Sequence, residues 1–200
     1  MKKLGNWRHL CVDMQRMFME ATPWHVAWME RILPQVVEVA GRHRDRTVFT
    51  RFIPPANADA AFGSWKDYYR KWNGMTGDKL PADLLDLTAP LNIFARPAVI
   101  FDKTVYSPWI DGRLASHFHR EQVDTLVVTG GETDVCVLAT VLGAIDLGFK
   151  VIILSDAVCS GADETHDAAV NLLAERFSVQ LELATTEQFL RSVGCTGWVE

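Results

Sequence analysis

The sequence predicts an α/β protein of three layers, in which a six-stranded, mostly parallel sheet carries helices on both faces. The first observation is that short apolar runs alternate with longer segments whose apolar residues recur at helical spacing. The second is that residues 125–129 (TLVVT) and 151–154 (VIIL) are continuously apolar, as in strands that are buried on both faces. Strands that alternate with helices favour a parallel, Rossmann-like sheet, whose binding sites form at the carboxyl ends of the strands.

The strands and helices follow one another along most of the chain. In the first helix Trp28, Ile32, Val36 and Ala40 lie at helical spacing, and in the helix after residue 134 the apolar positions again share one face, until Gly148 ends it. We predict strands over residues 9–12, 47–50, 98–101, 125–129, 151–154 and 179–183. We predict helices over residues 26–44, 114–122, 134–148, 164–177 and 185–193.

Residues 54–90 interrupt this alternation. They begin with two prolines, lack a continuous period and are rich in Trp and Tyr, so we expect a partly helical insertion near the active site. The length of 200 residues suits a single domain over residues 1–200.

Composition excludes several classes of function. A net charge of −5, with 20 scattered Lys and Arg residues, provides no basic surface for nucleic acid. The N-terminal residues resemble neither a signal peptide nor a membrane anchor. The four cysteines show no metal-ligand spacing, which favours free thiols in a reducing compartment, and we expect a cytoplasmic protein without membrane contact.

The segment 130–137 (GGETDVCV) is the most informative stretch of the sequence. A buried strand runs into two glycines, then Thr133 and Asp134, which can cap a helix, and then Cys136 in its first turn. Exposed backbone N–H groups and the helix dipole favour a thiolate there, and the same groups could bind an oxyanion. The alternative is a buried structural cysteine, which is common.

Two charged residues follow predicted strands at the same edge of the sheet. Asp13 ends the first strand and Lys103 follows the third, so both are expected to project towards the Cys136 loop. A carboxylate can accept the thiol proton and an ammonium can stabilise the resulting anion, so the three side chains suffice for acyl transfer. Taken singly, such charges are more often structural.

Three segments resemble the signature blocks of the isochorismatase-like cysteine hydrolases. They are residues 12–15 (VDMQ), 103–109 (KTVYSPW) and 130–140 (GGETDVCVLAT), and the likeness continues through residues 146–151, 155–157 and 164–166. The resemblance implies a catalytic triad of Asp13, Lys103 and Cys136. It also implies an oxyanion hole formed by the backbone N–H groups of Glu132 and Cys136, a cis peptide at Gly131–Glu132, and a homo-oligomer, either a dimer or a tetramer.

The resemblance also bears on metals and substrates. One branch, the nicotinamidases, holds a metal through an Asp-x-His motif after the second strand, where this chain has residues 50–55 (TRFIPP), so we predict no metal and no cofactor. Arg51 could bind a substrate carboxylate or form a structural ion pair. The aromatic residues expected around a small-molecule substrate are Phe18, Trp65, Tyr106 and Trp109.

The sequence therefore predicts a cysteine hydrolase that cleaves a C–N bond of a small amide or ureido substrate through a thioester. Two alternatives are open: a vinyl-ether hydrolase of the isochorismatase type, which can dispense with the cysteine, and a catalytically silent oligomeric module of the same fold. We expect Asp156 and His166 to be structural, and Cys11, Cys159 and Cys195 to be bystanders, so that Cys136 alone labels rapidly.

Overall fold

A computed structural model of the chain describes residues 4–194, so Cys195 lies outside the described residues. Six strands form one sheet in the order β3-β2-β1-β4-β5-β6, and every neighbouring pair is parallel. The predicted sheet is confirmed. The strands are β1 (Trp7–Val12), β2 (Thr47–Phe52), β3 (Val99–Lys103), β4 (Thr125–Gly131), β5 (Lys150–Cys159) and β6 (Leu181–Ala184).

Each of the five predicted helices is present, with small shifts at the ends. The helix predicted over residues 134–148 is divided into a π-helix at Thr133–Val137 and an α-helix that ends before Gly148, whose φ of 87° suits glycine. The α-helices are α1 (Arg16–Met19), α2 (Met29–Arg42), α3 (Trp65–Lys71), α4 (Ala89–Asn92), α5 (Arg113–Arg120), α6 (Leu138–Asp146), α7 (Asp163–Arg176) and α8 (Thr186–Gly194).

The sheet separates two apolar cores because successive side chains of a strand point to opposite faces. In β1, Cys11 faces the core that α2 and α8 cover, whereas Leu10 and Val12 face the core that α5, α6 and α7 cover. This alternation explains why the strand sequences are apolar at nearly every position. It also leaves the carboxyl edge of the sheet as the place where polar side chains can gather.

Two strand boundaries differ from those predicted. β5 continues to Cys159, so Asp156 lies inside the strand and does not end it. Its Oδ1 accepts hydrogen bonds from the backbone N–H of Thr186 (2.8 Å) and the Thr186 hydroxyl (2.9 Å), which holds the start of α8. β6 begins at Leu181, and Val179 is exposed because it precedes the sheet.

The segment over residues 54–90 is partly helical, as predicted, with α3 and three short 3₁₀ turns. Its buried side chains Tyr69, Met75, Leu80 and Leu87 join the core on the α2 side of the sheet. Gln15 and Leu87 also form an isolated bridge. The insertion is thereby fixed over the carboxyl ends of β1 and β2. No helix within residues 4–194 has the length and apolarity needed to cross a membrane.

Candidate active site

The order of the strands brings Asp13 next to the loop that follows β4. β1 pairs with β2 on one side and with β4 on the other, and this reversal of direction is where parallel sheets form clefts. Val12 lies opposite Gly130, which has a φ of 110°. A β-carbon at position 130 would overlap the carbonyl oxygen of Val12, so this contact requires glycine.

The Asp13 carboxylate is fully buried and its two oxygens have different partners. Oδ1 accepts a hydrogen bond of 2.6 Å from the Thr50 hydroxyl, and the Asp13 backbone N–H donates to the Thr50 carbonyl at 3.2 Å. Oδ2 lies 2.7 Å from Nζ of Lys103 and accepts no well-aligned hydrogen bond. This oxygen can therefore accept a proton.

The ammonium of Lys103 links the carboxylate to the sulfur. Its Nζ lies 3.6 Å from Sγ of Cys136, donates to the Val105 carbonyl at 3.2 Å, and stands 5.2 Å from the centre of the Phe52 ring. Burial by itself lowers the pKa of Lys103, but the interactions with Asp13 and Cys136 outweigh burial, so the pKa is raised. Lys103 is a stable cation.

Cys136 lies in the π-helix, with its side chain almost fully buried. Burial raises the pKa of its thiol, the Asp13 charge raises it further, and Lys103 offsets only part of this. The raised pKa favours a neutral thiol beside the carboxylate over the thiolate expected from the sequence.

The turn that contains Cys136 is held by hydrogen bonds to other segments, and the predicted helix cap does not form. Neither Thr133 nor Asp134 caps the helix: Asp134 accepts a hydrogen bond of 2.6 Å from the Ser160 hydroxyl, and Oγ1 of Thr133 lies 3.0 Å from Nδ1 of His166. These bonds tie the turn to the β5–α7 region, so His166 has a structural contact. The Gly131–Glu132 peptide is cis.

A cavity of about 320 Å³ opens in front of Cys136. Its lining is mainly aromatic and includes one acidic residue, Glu132. The lining residues are Phe18, Pro23, Trp24, His25, Phe52, Tyr68, Trp72, Tyr106, Glu132, Val135 and Cys136. Of Asp13, Lys103 and Cys136, only Cys136 is among these lining residues.

Comparison with known proteins identifies the family. The model of the isochorismatase domain matches residues 9–187. The chain belongs to the isochorismatase family. The resemblance of the sequence blocks is therefore confirmed, and family membership supports a hydrolase.

Individual relatives of the family are distant in sequence but similar in fold. The chain is 24% identical over 163 residues to the uncharacterized isochorismatase family protein YwoC of Bacillus subtilis (strain 168), covering 82% of this chain and 84% of that one. An isochorismatase-like hydrolase from Alkaliphilus metalliredigens is 25% identical with a TM-score of 0.75, covering 94% of this chain and 99% of the other. A pyrazinamidase of Pyrococcus horikoshii in complex with zinc is also 25% identical, with a TM-score of 0.69 and coverage of 90% and 99%.

Of the five side chains predicted to contact substrate, Phe18 and Tyr106 line the cavity. Trp65 lies behind them, with its ring centre 4.8 Å from that of Tyr106. Trp109 does not reach the cavity: its Nε1 donates to the Thr140 carbonyl at 2.8 Å, and its ring packs against Gly143 of α6. The prediction for Trp109 is wrong because that ring supports α6.

Arg51 was expected either to bind a substrate carboxylate or to form a structural ion pair. Its Nε and Nη2 donate to the two carboxylate oxygens of Asp102 at 2.8 and 2.9 Å, and its Nη1 donates to Asp86 at 3.2 Å. Of the alternatives, the structural ion pair is the one observed. The resemblance would place the metal motif of the nicotinamidases in this segment, and a paired guanidinium does not fit a divalent cation. Within residues 4–194, no three His, Cys, Asp or Glu side chains are grouped to bind a metal ion.

Sequence reasoning missed several residues of the cavity wall. Tyr68 and Trp72 come from the insertion, Trp24 and His25 come from the loop before α2, and Glu132 is also a lining residue. The density of aromatic residues in the insertion was a usable signal for the wall as a whole. It could not select individual residues because the segment has no period that assigns a side chain to a face.

Proposed function

We propose that this protein is a cysteine hydrolase that cleaves the C–N bond of a small amide or ureido substrate through a thioester intermediate. One observation carries the proposal: a buried ammonium lies 2.7 Å from Asp13 Oδ2 and 3.6 Å from Cys136 Sγ, and the sulfur borders an aromatic cavity. The similarity to a pyrazinamidase, an enzyme named for an amide substrate, supports C–N cleavage.

The first step starts from a neutral thiol. Asp13 Oδ2 accepts the proton of Cys136 as the sulfur attacks the carbonyl carbon, so the thiolate never has to persist in a buried environment. Lys103 stays charged and stabilises the negative charge as it moves from the carboxylate to the substrate. Backbone N–H groups of Glu132 and Cys136 are proposed to hold the oxyanion.

The remaining steps return the protein to its starting state. When the tetrahedral intermediate collapses, the C–N bond breaks and the proton on Asp13 passes to the departing nitrogen, which leaves as ammonia or an amine. Water then attacks the thioester while Asp13 takes one of its protons. The C–S bond breaks, the carboxylic or carbamic acid leaves, and Cys136 recovers its proton.

Measurement of ammonia release over a panel of small carboxamides and ureido compounds tests the proposal. We expect Cys136→Ala to abolish release, whereas Cys159→Ala, which removes a buried thiol outside the triad, should keep it. Mass spectrometry of the quenched native protein should show an acyl adduct on Cys136. Full turnover by Cys136→Ala would exclude covalent catalysis and favour the vinyl-ether mechanism.

A further inference from the structure

Glu132, an acidic residue that lines the cavity in front of Cys136, has no cationic partner among the described residues. No Lys or Arg is among the lining residues, and Glu132 forms no ion pair within residues 4–194. Its Oε1 accepts one hydrogen bond, from the backbone N–H of Gly161 at 3.1 Å. Burial raises the pKa of Glu132, the hydrogen bond from Gly161 offsets part of this, and the charge of Asp134 adds a smaller increase.

The other charges near the cavity do not neutralise it. Asp13 and Lys103 cancel each other, Cys136 is neutral at rest, and Arg51 is held by Asp102 and Asp86. The Nζ of Lys71 lies 5.1 Å from the centre of the Trp72 ring, but Lys71 is exposed and does not line the cavity. Of the lining residues, Glu132 is acidic, His25 is a histidine, and none is Lys or Arg.

A cavity that combines aromatic side chains with a carboxylate is suited to bind organic cations. The face of an aromatic ring attracts an ammonium group, its apolar surface packs against N-methyl groups, and a nearby carboxylate adds Coulomb attraction. A substrate carboxylate would be desolvated in the same space and repelled by Glu132. An acidic substrate, which the sequence suggested through Arg51, is therefore disfavoured.

We propose that the preferred substrate is a small amide that carries an alkylammonium group, which binds among the rings of Trp24, Tyr68 and Trp72 and faces the carboxylate of Glu132. This inference rests on the proposed function, because it places the scissile amide of that substrate at Cys136. It adds the charge of the substrate and a specificity-determining residue, Glu132.

A matched pair of amides isolates the effect of charge. Trimethylammonioacetamide and 3,3-dimethylbutanamide have the same shape and differ by a central nitrogen cation in place of carbon. We expect Cys136→Ala, which cannot turn them over, to bind the cation at least tenfold more tightly in isothermal titration calorimetry. Malonamate, which carries a carboxylate, should bind more weakly than both.

Glu132→Gln in the same background should remove most of the preference for the cation, because Gln keeps a carbonyl acceptor for Gly161 and loses only the charge. Glu164→Gln, an exposed acidic residue outside the cavity, is the matched control and should keep the preference. Equal or weaker binding of the cation, absence of binding by either amide, or a preference that survives Glu132→Gln would overturn the inference.

Turnover by the native protein separates this inference from the proposed function. If both amides are hydrolysed and kcat/KM does not favour the cation, the hydrolase stands and the ammonium preference is wrong. If the cation binds preferentially but no amide in the panel releases ammonia and no adduct forms on Cys136, the charge preference of the cavity stands and the proposed hydrolysis is wrong.

Discussion

Lys103 and Asp13 form a buried ion pair of 2.7 Å although their strands, β3 and β1, are not neighbours in the sheet. β2 lies between them, and the lysine side chain passes over its end, where the Nζ stands 5.2 Å from the ring of Phe52. The ion pair therefore spans the ends of three strands. The long side chain of Lys103 also brings the same ammonium group to the sulfur of Cys136.

Asp13→Asn should change turnover and thiol reactivity in opposite directions. Loss of the base lowers amide hydrolysis by about 10²- to 10⁴-fold. The Asp13 charge also raises the pKa of Cys136, so its removal lowers that pKa while Lys103 remains, and alkylation of Cys136 by iodoacetamide at neutral pH should accelerate. Peptide mass spectrometry measures the labelling rate.

Asp102→Asn is the control for this variant, since it changes an exposed aspartate one residue from Lys103 and should leave both readouts close to native. Because the pKa of Cys136 is raised, we now expect slow labelling of Cys136 at pH 7 in the native protein, in place of the rapid labelling predicted from the sequence, with a steady rise towards pH 9. If Asp13→Asn slows labelling as strongly as it slows turnover, then Asp13 does not act on the thiol as described.

Lys103→Met should destabilise the fold, because it leaves the Asp13 carboxylate buried without a counter-ion. The expected loss in the free energy of unfolding is about 3–5 kcal/mol, measured by urea denaturation. The double variant Asp13→Leu/Lys103→Met removes both charges and should recover much of that loss. A double variant less stable than Lys103→Met would show that the ion pair itself holds the fold.

His9 should make the protein less stable in mild acid. Its ring is fully buried between the hydroxyls of Thr47 (3.1 Å) and Thr129 (2.8 Å), so it joins β1 to β2 and β4. Burial first, and the nearby His43 charge second, lower the pKa of His9 to about 3. Below the unfolded pKa of about 6.5 the unfolded chain binds a proton that the folded protein does not.

The free energy of unfolding should therefore fall as the pH drops from 7 towards 5, by up to roughly 1.4 kcal/mol per pH unit from this group. His9→Gln, which can still bond both threonines, should remove that part of the pH dependence. Denaturant titrations of the two proteins at several pH values give the difference. Parallel curves for the two proteins would refute the assignment to His9.

Gly130→Ala should be far more damaging than Gly148→Ala, although both glycines have a positive φ. A β-carbon at 130 would overlap the backbone of Val12, whereas one at 148 meets no atom within 4 Å. We expect a loss above about 4 kcal/mol, or no folded protein, for the first and about 1–2 kcal/mol for the second. Thermal unfolding followed by circular dichroism measures both, and similar losses would contradict the close approach of β1 and β4.

Much of the fold could be predicted because the pattern of apolar residues and glycines in each strand and helix reflects the surroundings of that element. Residues such as Leu10 and Cys11 are apolar in succession because both faces of the sheet are covered, and Gly148 marks a helix end through its own φ. Asp156 shows where prediction from local pattern fails. This polar residue was expected to end the strand, but it lies within β5 because it accepts a hydrogen bond from Thr186, 30 positions away in the sequence.

The sequence by itself determined that Asp13, Lys103 and Cys136 would follow strands of one parallel sheet, because apolar periodicity and glycine punctuation are local properties. Only the tertiary structure decided the distances between them, the protonation of the thiol, and which aromatic rings face the sulfur. Desolvation and pairing depend on every neighbouring segment at once. For that reason Cys136 rests as a neutral thiol, Arg51 is engaged by Asp102, and Trp109 supports α6.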